Sequence, residues 1–312
     1  MWALARSQLP RSALFQCRRF GTSGLCAYGE SFSPSTYTPV ESLSTDRVQE
    51  RLSRSILGEF SIEEQKTRIE LAAAYRLFDH FGWNDDVINH LTVSVTEPNG
   101  SKSFLINPYG LRYDEITASS LLKIDAQGEL KHPGVVGDLF RVNRAGFVIH
   151  SAIHNSGNKS AKAVFHCHHP IVTGLASTAD GYLSSLSQTS SIIGPPGYHD
   201  FEGIVVDEQE QEKIVENLGD RNVLLLRNHG LITTGSTVGG AWYRTYMLIR
   251  SSELQATAQA SADAGGGLYL PKPDAAQRTF ETAQHFTGHE LGTMEFSAYM
   301  RLMDKKDASY RR

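Results

Sequence analysis

Apolar residues recur at helical spacing in several stretches of the chain, and shorter apolar runs lie between these stretches. Ser61 precedes the first long stretch, and Glu64 three residues later completes the pattern of a capping box. Four apolar residues then recur every fourth position and form one stripe, namely Ile69, Ala73, Leu77 and Phe81. The pattern predicts a helix from Ser61 that ends near Gly82.

Strand-type patterns fill much of the region after this helix. Two short apolar runs flank the Pro-Asn-Gly turn at residues 98–100, which predicts a hairpin. The apolar runs at 164–165 and 223–226 are typical of buried strands, and residues 237–260 predict a long helix. Because strands and helices mix without strict βαβ alternation, we expect an α/β fold with α/β/α layers instead of a doubly wound sheet.

Composition and charge exclude several classes of protein. The 312 residues are 40% hydrophobic and 21% charged, which suits one large domain or two small ones with a substantial core. The formal net charge of −4 argues against nucleic acid as the main partner. No apolar run approaches the roughly 18 residues that a membrane helix needs, so we expect no membrane span.

The charge is unevenly distributed along the chain. Residues 1–29 contain four arginines and no acidic residue, and they are rich in Ser, Ala and Leu. This composition predicts a mitochondrial transit segment and a matrix location; the alternative is a basic tail on a cytoplasmic protein. We further expect an extended arm at 30–60, the main domain at 61–264, and a glycine hinge with a C-terminal tail at 265–312. Arm and tail are expected to contact neighbouring subunits.

Histidines supply the main candidate chemistry. In the run His166-Cys167-His168, which follows a predicted strand, the two imidazoles lie on one face with the cysteine behind. His229 follows a second predicted strand and could complete a three-histidine metal site. Ordinary packing of core histidines explains the same pattern about equally well from spacing alone.

Other titratable residues are candidates for acid–base catalysis. His150 and His154 stand four residues apart on one face of a predicted helix. Glu202 lies in a loop between the two metal strands and could serve as a general base or as a ligand. For each of the three, a purely structural role is about as consistent with the sequence.

The order of these motifs resembles the class II aldolase/adducin family, over about residues 61–262. The resemblance depends on the segments NHLT, FLINPYG, ITASSLLKID, VFHCHHP and LLLRNHG, and its details favour the adducin-like branch. It implies an α/β/α fold around a mainly antiparallel sheet, commonly assembled as tetramers with the site at a subunit interface.

The resemblance also implies roles for individual residues. In the family's sugar-phosphate aldolases, two histidines of a His-x-His motif and one later histidine hold zinc, which corresponds here to His166, His168 and His229. Asn89 stands where the family's substrate-binding loop has Asn, and Gly110 keeps the glycine of the phosphate loop.

Several positions depart from that pattern. The aldolases carry a glutamate four residues before the helix histidine that matches His150, and this chain has Gly146 there. Arg144 and Ala145 replace serines that bind phosphate, and Tyr109 replaces a small hydroxyl residue. The usual acid–base group is therefore missing, and a phosphorylated substrate is disfavoured.

These observations lead to three hypotheses. The first is a metal-dependent, aldolase-like carbon–carbon lyase for a small, non-phosphorylated carbonyl compound, with Zn²⁺, Mn²⁺ or Fe²⁺ bound and with a homo-oligomeric assembly. The second is an Fe(II)-dependent oxygenase on the same scaffold, with Glu202 as a ligand. The third is a non-catalytic, adducin-like interaction protein.

Overall fold

The computed structural model describes residues 39–158, 161–203, 208–285 and 288–312. The predicted transit segment 1–29 and the first part of the predicted arm lie outside these ranges. Within the rest of the arm, residues Thr45–Leu52 form helix α1, so the expectation of an extended segment is wrong there. Val48 and Leu52 lie on one face of α1, one turn apart, and both are buried in the core. This burial explains why the segment is helical despite its polar composition.

In the described residues, eight strands form one sheet in the order β4-β3-β2-β1-β5-β8-β7-β6. Every neighbouring pair is antiparallel except β6 and β7, which are parallel. The strands are β1 (His90–Thr96), β2 (Lys102–Ile106), β3 (Leu122–Ile124), β4 (Leu130–His132), β5 (Ala163–Cys167), β6 (Gly197–His199), β7 (Val223–Leu226) and β8 (Gly230–Gly235). The sheet is therefore mainly antiparallel, as the resemblance implied.

Helices cover both faces of the sheet. Helices α2 and α7 contact one face, and α3 and α6 contact the other. After α1, the helices are α2 (Ile62–Phe81), α3 (Arg144–Asn155), α4 (Pro170–Ala176), α5 (Gln188–Ile193), α6 (Glu208–Leu218), α7 (Val238–Ser261), α8 (Pro273–His285) and α9 (Thr293–Lys306). The predicted three-layer α/β/α arrangement is confirmed. No helix in these ranges is long and apolar enough to cross a membrane.

Strand β5 shows how the sheet separates core from site. Phe165 and Cys167 point into the large cluster beneath α2 and α7, whereas Val164 packs in the smaller cluster with α3 and α6. Because successive side chains of a strand alternate, His166 lies on the same face as Val164. The alternation thus directs His166 toward α3, while the adjacent residues Phe165 and Cys167 pack in the large core cluster.

Helix α2 confirms the predicted start and end. The Ser61 hydroxyl accepts a hydrogen bond from the Glu64 backbone N–H at 3.2 Å, and Gly82 ends the helix in a left-handed conformation. The Glu64 carboxylate, however, bonds the buried Arg68 and Lys123 instead of returning to the cap.

The C-terminal segment packs on its own chain. Helix α9 contacts α7 and α2, and the side chains of Phe296, Met303 and Tyr310 are buried in the main core. Three large side chains of this segment therefore belong to the core of their own subunit. That the tail also contacts neighbouring subunits stays a prediction.

Candidate metal centre

Three histidines meet at one end of the central strands. His166 lies in β5, His168 follows the end of that strand, and His229 lies in the turn between β7 and β8. One ligand nitrogen from each imidazole can be chosen so that all three lie within 4.8 Å of one another. The turn requires close backbone approach, since a Cβ on Gly230 would lie 2.5 Å from the Cys167 carbonyl oxygen. Adjacent strands thus bring together residues 61 positions apart in sequence.

Hydrogen bonds fix the orientation of two of these rings. His166 Nδ1 donates to the Leu231 carbonyl oxygen at 2.9 Å, and His168 Nδ1 lies 2.9 Å from Asp85 Oδ2. A carbonyl and a carboxylate can only accept, so in the neutral rings the proton sits on Nδ1 and each Nε2 carries a lone pair. Hydrogen bonds of this kind orient metal-bound histidines in many proteins.

The two Nε2 atoms face each other at 3.0 Å. At this distance either one of the two nitrogens carries a proton and donates it to the other, or a cation lies beside both. Ligand nitrogens of a tetrahedral zinc site stand about 3.3 Å apart, given zinc–nitrogen bonds of about 2.0–2.1 Å. The donor set and its spacing therefore fit a divalent ion such as zinc.

Burial keeps two of the candidate ligands, His166 and His229, neutral. It lowers the pKa of His166 well below its usual value, with the neighbouring His229 as the next cause. It also lowers the pKa of His229 to about 4, with the neighbouring His168 as the next cause. Since the neutral imidazole is the form that binds metal, these two rings need no deprotonation near neutral pH.

His150 and His154 lie on helix α3 and are joined by Thr92. Its hydroxyl oxygen lies 2.7 Å from His150 Nδ1 and 2.7 Å from His154 Nε2. His154 Nδ1 donates to the Ala161 carbonyl oxygen at 2.6 Å, and burial lowers the pKa of this histidine to about 4. His154 is therefore neutral and accepts at Nε2, so the single hydroxyl proton of Thr92 points to it.

The Thr92 hydroxyl also fixes the tautomer of His150. Because the Thr92 proton is already used, the hydroxyl oxygen must accept from His150 Nδ1–H. His150 Nε2 is then left with a lone pair, and this buried atom has no hydrogen-bond partner among the described residues. Of the two helix histidines, His154 has both nitrogens engaged and His150 keeps one free for a ligand.

His90 is a residue that the sequence left unassigned. It pairs in register with His166 across β1 and β5, so both side chains lie on the same face of the sheet. Its side chain is buried, and neither ring nitrogen has a partner in the described part of the chain. A Cβ on Gly146 would lie only 2.0 Å from His90 Cε1.

Residues 69–256 match the family described as the class II aldolase and adducin N-terminal domain. The chain belongs to the class II aldolase/adducin family. It is 48% identical over 293 residues to an adducin-related protein of Schizosaccharomyces pombe, an alignment that covers 93% of this chain and 90% of that protein.

Solved structures agree with this assignment. An aldolase II superfamily protein from Pseudomonas syringae superimposes with a TM-score of 0.76 at 35% identity, covering 83% of this chain and 100% of that one. L-fuculose 1-phosphate aldolase from Glaciozyma antarctica superimposes with a TM-score of 0.66 at 27% identity, covering 84% of this chain and 98% of that one. The shared architecture extends well beyond the three histidines.

Two positions carried over from the class II aldolase/adducin pattern have different surroundings. Asn89 is fully buried beside His90; its side-chain oxygen accepts from the Asp85 backbone N–H at 2.9 Å, and its Nδ2 has no described partner. Gly110 has a φ of +110°, and a Cβ there would lie 2.9 Å from the Phe140 ring. The backbone conformation and the close packing on Phe140 both explain the glycine without any ligand.

The carboxylate of Glu202 is paired with a lysine. Its two carboxylate oxygens accept from Lys213 Nζ at 2.8 and 2.6 Å, and its side chain is half-exposed. Among the described residues, the cluster of close ligand atoms at this site consists of the three imidazoles alone. Asp85, which the sequence analysis did not single out, is the carboxylate that contacts a candidate ligand.

Proposed function

We propose that this class II aldolase/adducin family member is a metal-dependent, aldolase-like lyase that acts on a small, non-phosphorylated carbonyl compound. The observation that carries the proposal is the pair of Nε2 atoms of His166 and His168, 3.0 Å apart, with His229 beside them. When bound there, a divalent ion would polarise a substrate carbonyl as a Lewis acid.

The residues of this chain would then bind and orient the substrate. His150 Nε2 is a buried acceptor with no described partner, which supports a role for it in accepting a hydrogen bond from a substrate hydroxyl. His154 and Thr92 hold that ring in its tautomer. Asn89 Nδ2 offers a donor to a substrate oxygen. The preference for a non-phosphorylated substrate is supported by Tyr109, which stands where the resemblance places a small hydroxyl residue.

Metal content of the purified full-length chain is the decisive measurement. About one divalent ion per subunit is expected by mass spectrometry, and His166→Ala or His229→Ala should abolish its retention. His80→Ala, which changes an exposed histidine on α2, is the matched control and should keep the ion. Full occupancy in His229→Ala would refute the ligand assignment.

The identity of the ion and an activity screen then test the chemistry. Zinc or manganese, with aldehyde released from short hydroxycarbonyl compounds, would support the lyase. Iron with oxygen consumption would instead support the oxygenase, although Lys213 engages the carboxylate of Glu202 that such a site would use. A chain that fails to take up any metal would favour an adducin-like interaction protein.

A further inference from the structure

The ring of His90 takes the space that a side chain at position 146 would need. An ideal Cβ on Gly146 would lie 2.0 Å from His90 Cε1, 2.3 Å from Nδ1 and 2.6 Å from Nε2. Real Cβ atoms do not approach other atoms this closely, so the ring and any side chain at 146 exclude each other. Gly146 lies in the first turn of α3, and His90 begins β1, so the contact joins a helix to the sheet.

This ring lies beside the candidate metal centre. His90 pairs with His166 on the adjacent strand, and its ring centroid is 5.9 Å from that of His150. The His150 ring is in turn 6.5 Å from that of His166. Position 146 is where the resemblance expects a glutamate, so the imidazole occupies the volume next to the metal that the glutamate would otherwise enter.

Unpaired buried polar atoms collect at this place. Both ring nitrogens of His90, Nε2 of His150 and Nδ2 of Asn89 have no hydrogen-bond partner among the described residues, and each of the three residues is at most 3% exposed. Leaving such an atom unpaired costs free energy, so native proteins rarely gather several of them without a ligand or bound water. The rings of His90 and His150, with centroids 5.9 Å apart, are close enough for their unpaired nitrogens to contact one small ligand.

The atoms define the chemistry of the ligand. His150 Nε2 accepts, and the neutral ring of His90 offers one donor and one acceptor. Hydroxyl and carbonyl oxygens match this set, because a hydroxyl can both donate and accept while a carbonyl accepts. A short hydroxycarbonyl compound presents both groups within a few atoms.

We propose that His90 is a substrate-binding residue that hydrogen-bonds the hydroxyl of a short hydroxycarbonyl compound. Its ring occupies the space that is open because Gly146 has no side chain. This assignment rests on the proposed function, since the carbonyl of the same compound would lie at the metal. The polar side chain next to the metal would then come from His90 on strand β1 and not from position 146 on helix α3.

A substitution cycle tests whether the ring and position 146 compete for space. Gly146→Ala is expected to lower the melting temperature by about 2–10 °C, as overpacking of a buried site does. In a His90→Ala background the same substitution should leave the melting temperature unchanged or raise it, because alanine favours a helix. Gly174→Ala in α4, where an added Cβ meets nothing within 4 Å, is the control and should have the same effect in both backgrounds. An effect of Gly146→Ala that does not depend on His90 would overturn the packing argument.

Binding of hydroxyacetone to the zinc-loaded chain tests the ligand, with acetone as the probe that lacks the hydroxyl. Ligand-observed NMR should show tighter binding of hydroxyacetone by the parent. His90→Ala should weaken it about tenfold, which corresponds to one lost hydrogen bond, without changing acetone binding or zinc content. His90→Gln keeps a donor and an acceptor and should recover part of the loss.

The outcomes separate this inference from the proposed function. A parent chain that holds zinc but does not prefer hydroxyacetone, or a His90→Ala variant that binds it like the parent, overturns the role of His90 alone. A parent chain that holds no metal and binds neither probe overturns both.

Discussion

Asp85→Asn is expected to weaken zinc binding although Asp85 is not itself a proposed ligand. The Asp85 carboxylate lies 2.9 Å from His168 Nδ1, so it both orients the ring and makes Nε2 a better donor to a cation. Loss of such a partner typically costs 10–100-fold in metal affinity, which is on the order of 1.4–2.8 kcal/mol. Because the carboxylate is half-exposed and asparagine can still accept a hydrogen bond, we expect a loss near tenfold for Asp85→Asn. Asp85→Ala should lose more.

The assay is competition for zinc against a fluorescent chelator at constant pH. Asp86→Asn is the matched control, because it removes the same charge one residue away and asparagine tolerates the left-handed backbone at that position, where φ is 49°. Zinc affinity of Asp85→Asn within twofold of the parent would refute the orienting role. An equal loss in Asp86→Asn would mean that general charge, not the contact with His168, is responsible.

Three further predictions concern stability and targeting. The pKa of His154 is about 4 in the folded chain and near 6.5 in the unfolded chain. Its contribution to the free energy of unfolding, about 3 kcal/mol, is therefore complete above pH 6.5 and is lost as the pH falls toward 4. In urea titrations, His154→Gln should make the free energy of unfolding depend less on pH in this range. Arg68→Ala should lower the free energy of unfolding by about 3–5 kcal/mol, because the buried guanidinium bonds Glu64 and two backbone carbonyls, and Arg68→Lys should recover little of it in the same titrations. A fluorescent protein that carries residues 1–29 is expected to enter mitochondria, and diffuse cytosolic fluorescence would contradict the transit prediction.

The sequence predicts most of the layers and the pair His166 and His168 because their signals are local, whereas His229 joins them only through the family resemblance. Alternation along a strand is enough to put His166 and His168 on one side of Cys167, and helical spacing identifies α2. Helix α1 was missed because its polar composition resembles an arm, and only the burial of Val48 and Leu52 against distant elements makes it helical.

Asp85 and His90 could not be recognised for a related reason. The contact between Asp85 and His168 spans 83 positions, and no spacing rule links an acidic residue before one strand to a histidine after another. His90 becomes informative only when the register of β1 and β5 places it opposite His166. The sequence does contain two features that, taken together, point to His90. Position 146 is a glycine where a glutamate was expected, and the NHLT segment contains a histidine without an assigned role.

Two polar side chains of strand β1 have different surroundings. The Thr92 hydroxyl donates its one proton to His154 and accepts from His150, so it is engaged both as a donor and as an acceptor. His90, two positions earlier on the same face, is buried without any partner in the described residues. Leaving the His90 ring without hydrogen bonds lowers the stability of the fold, and packing of the surrounding core has to offset this loss. A bound hydroxyl group would restore the missing hydrogen bond. A strand that satisfies one polar group fully and leaves the next one open is better explained by ligand binding than by a defect of packing.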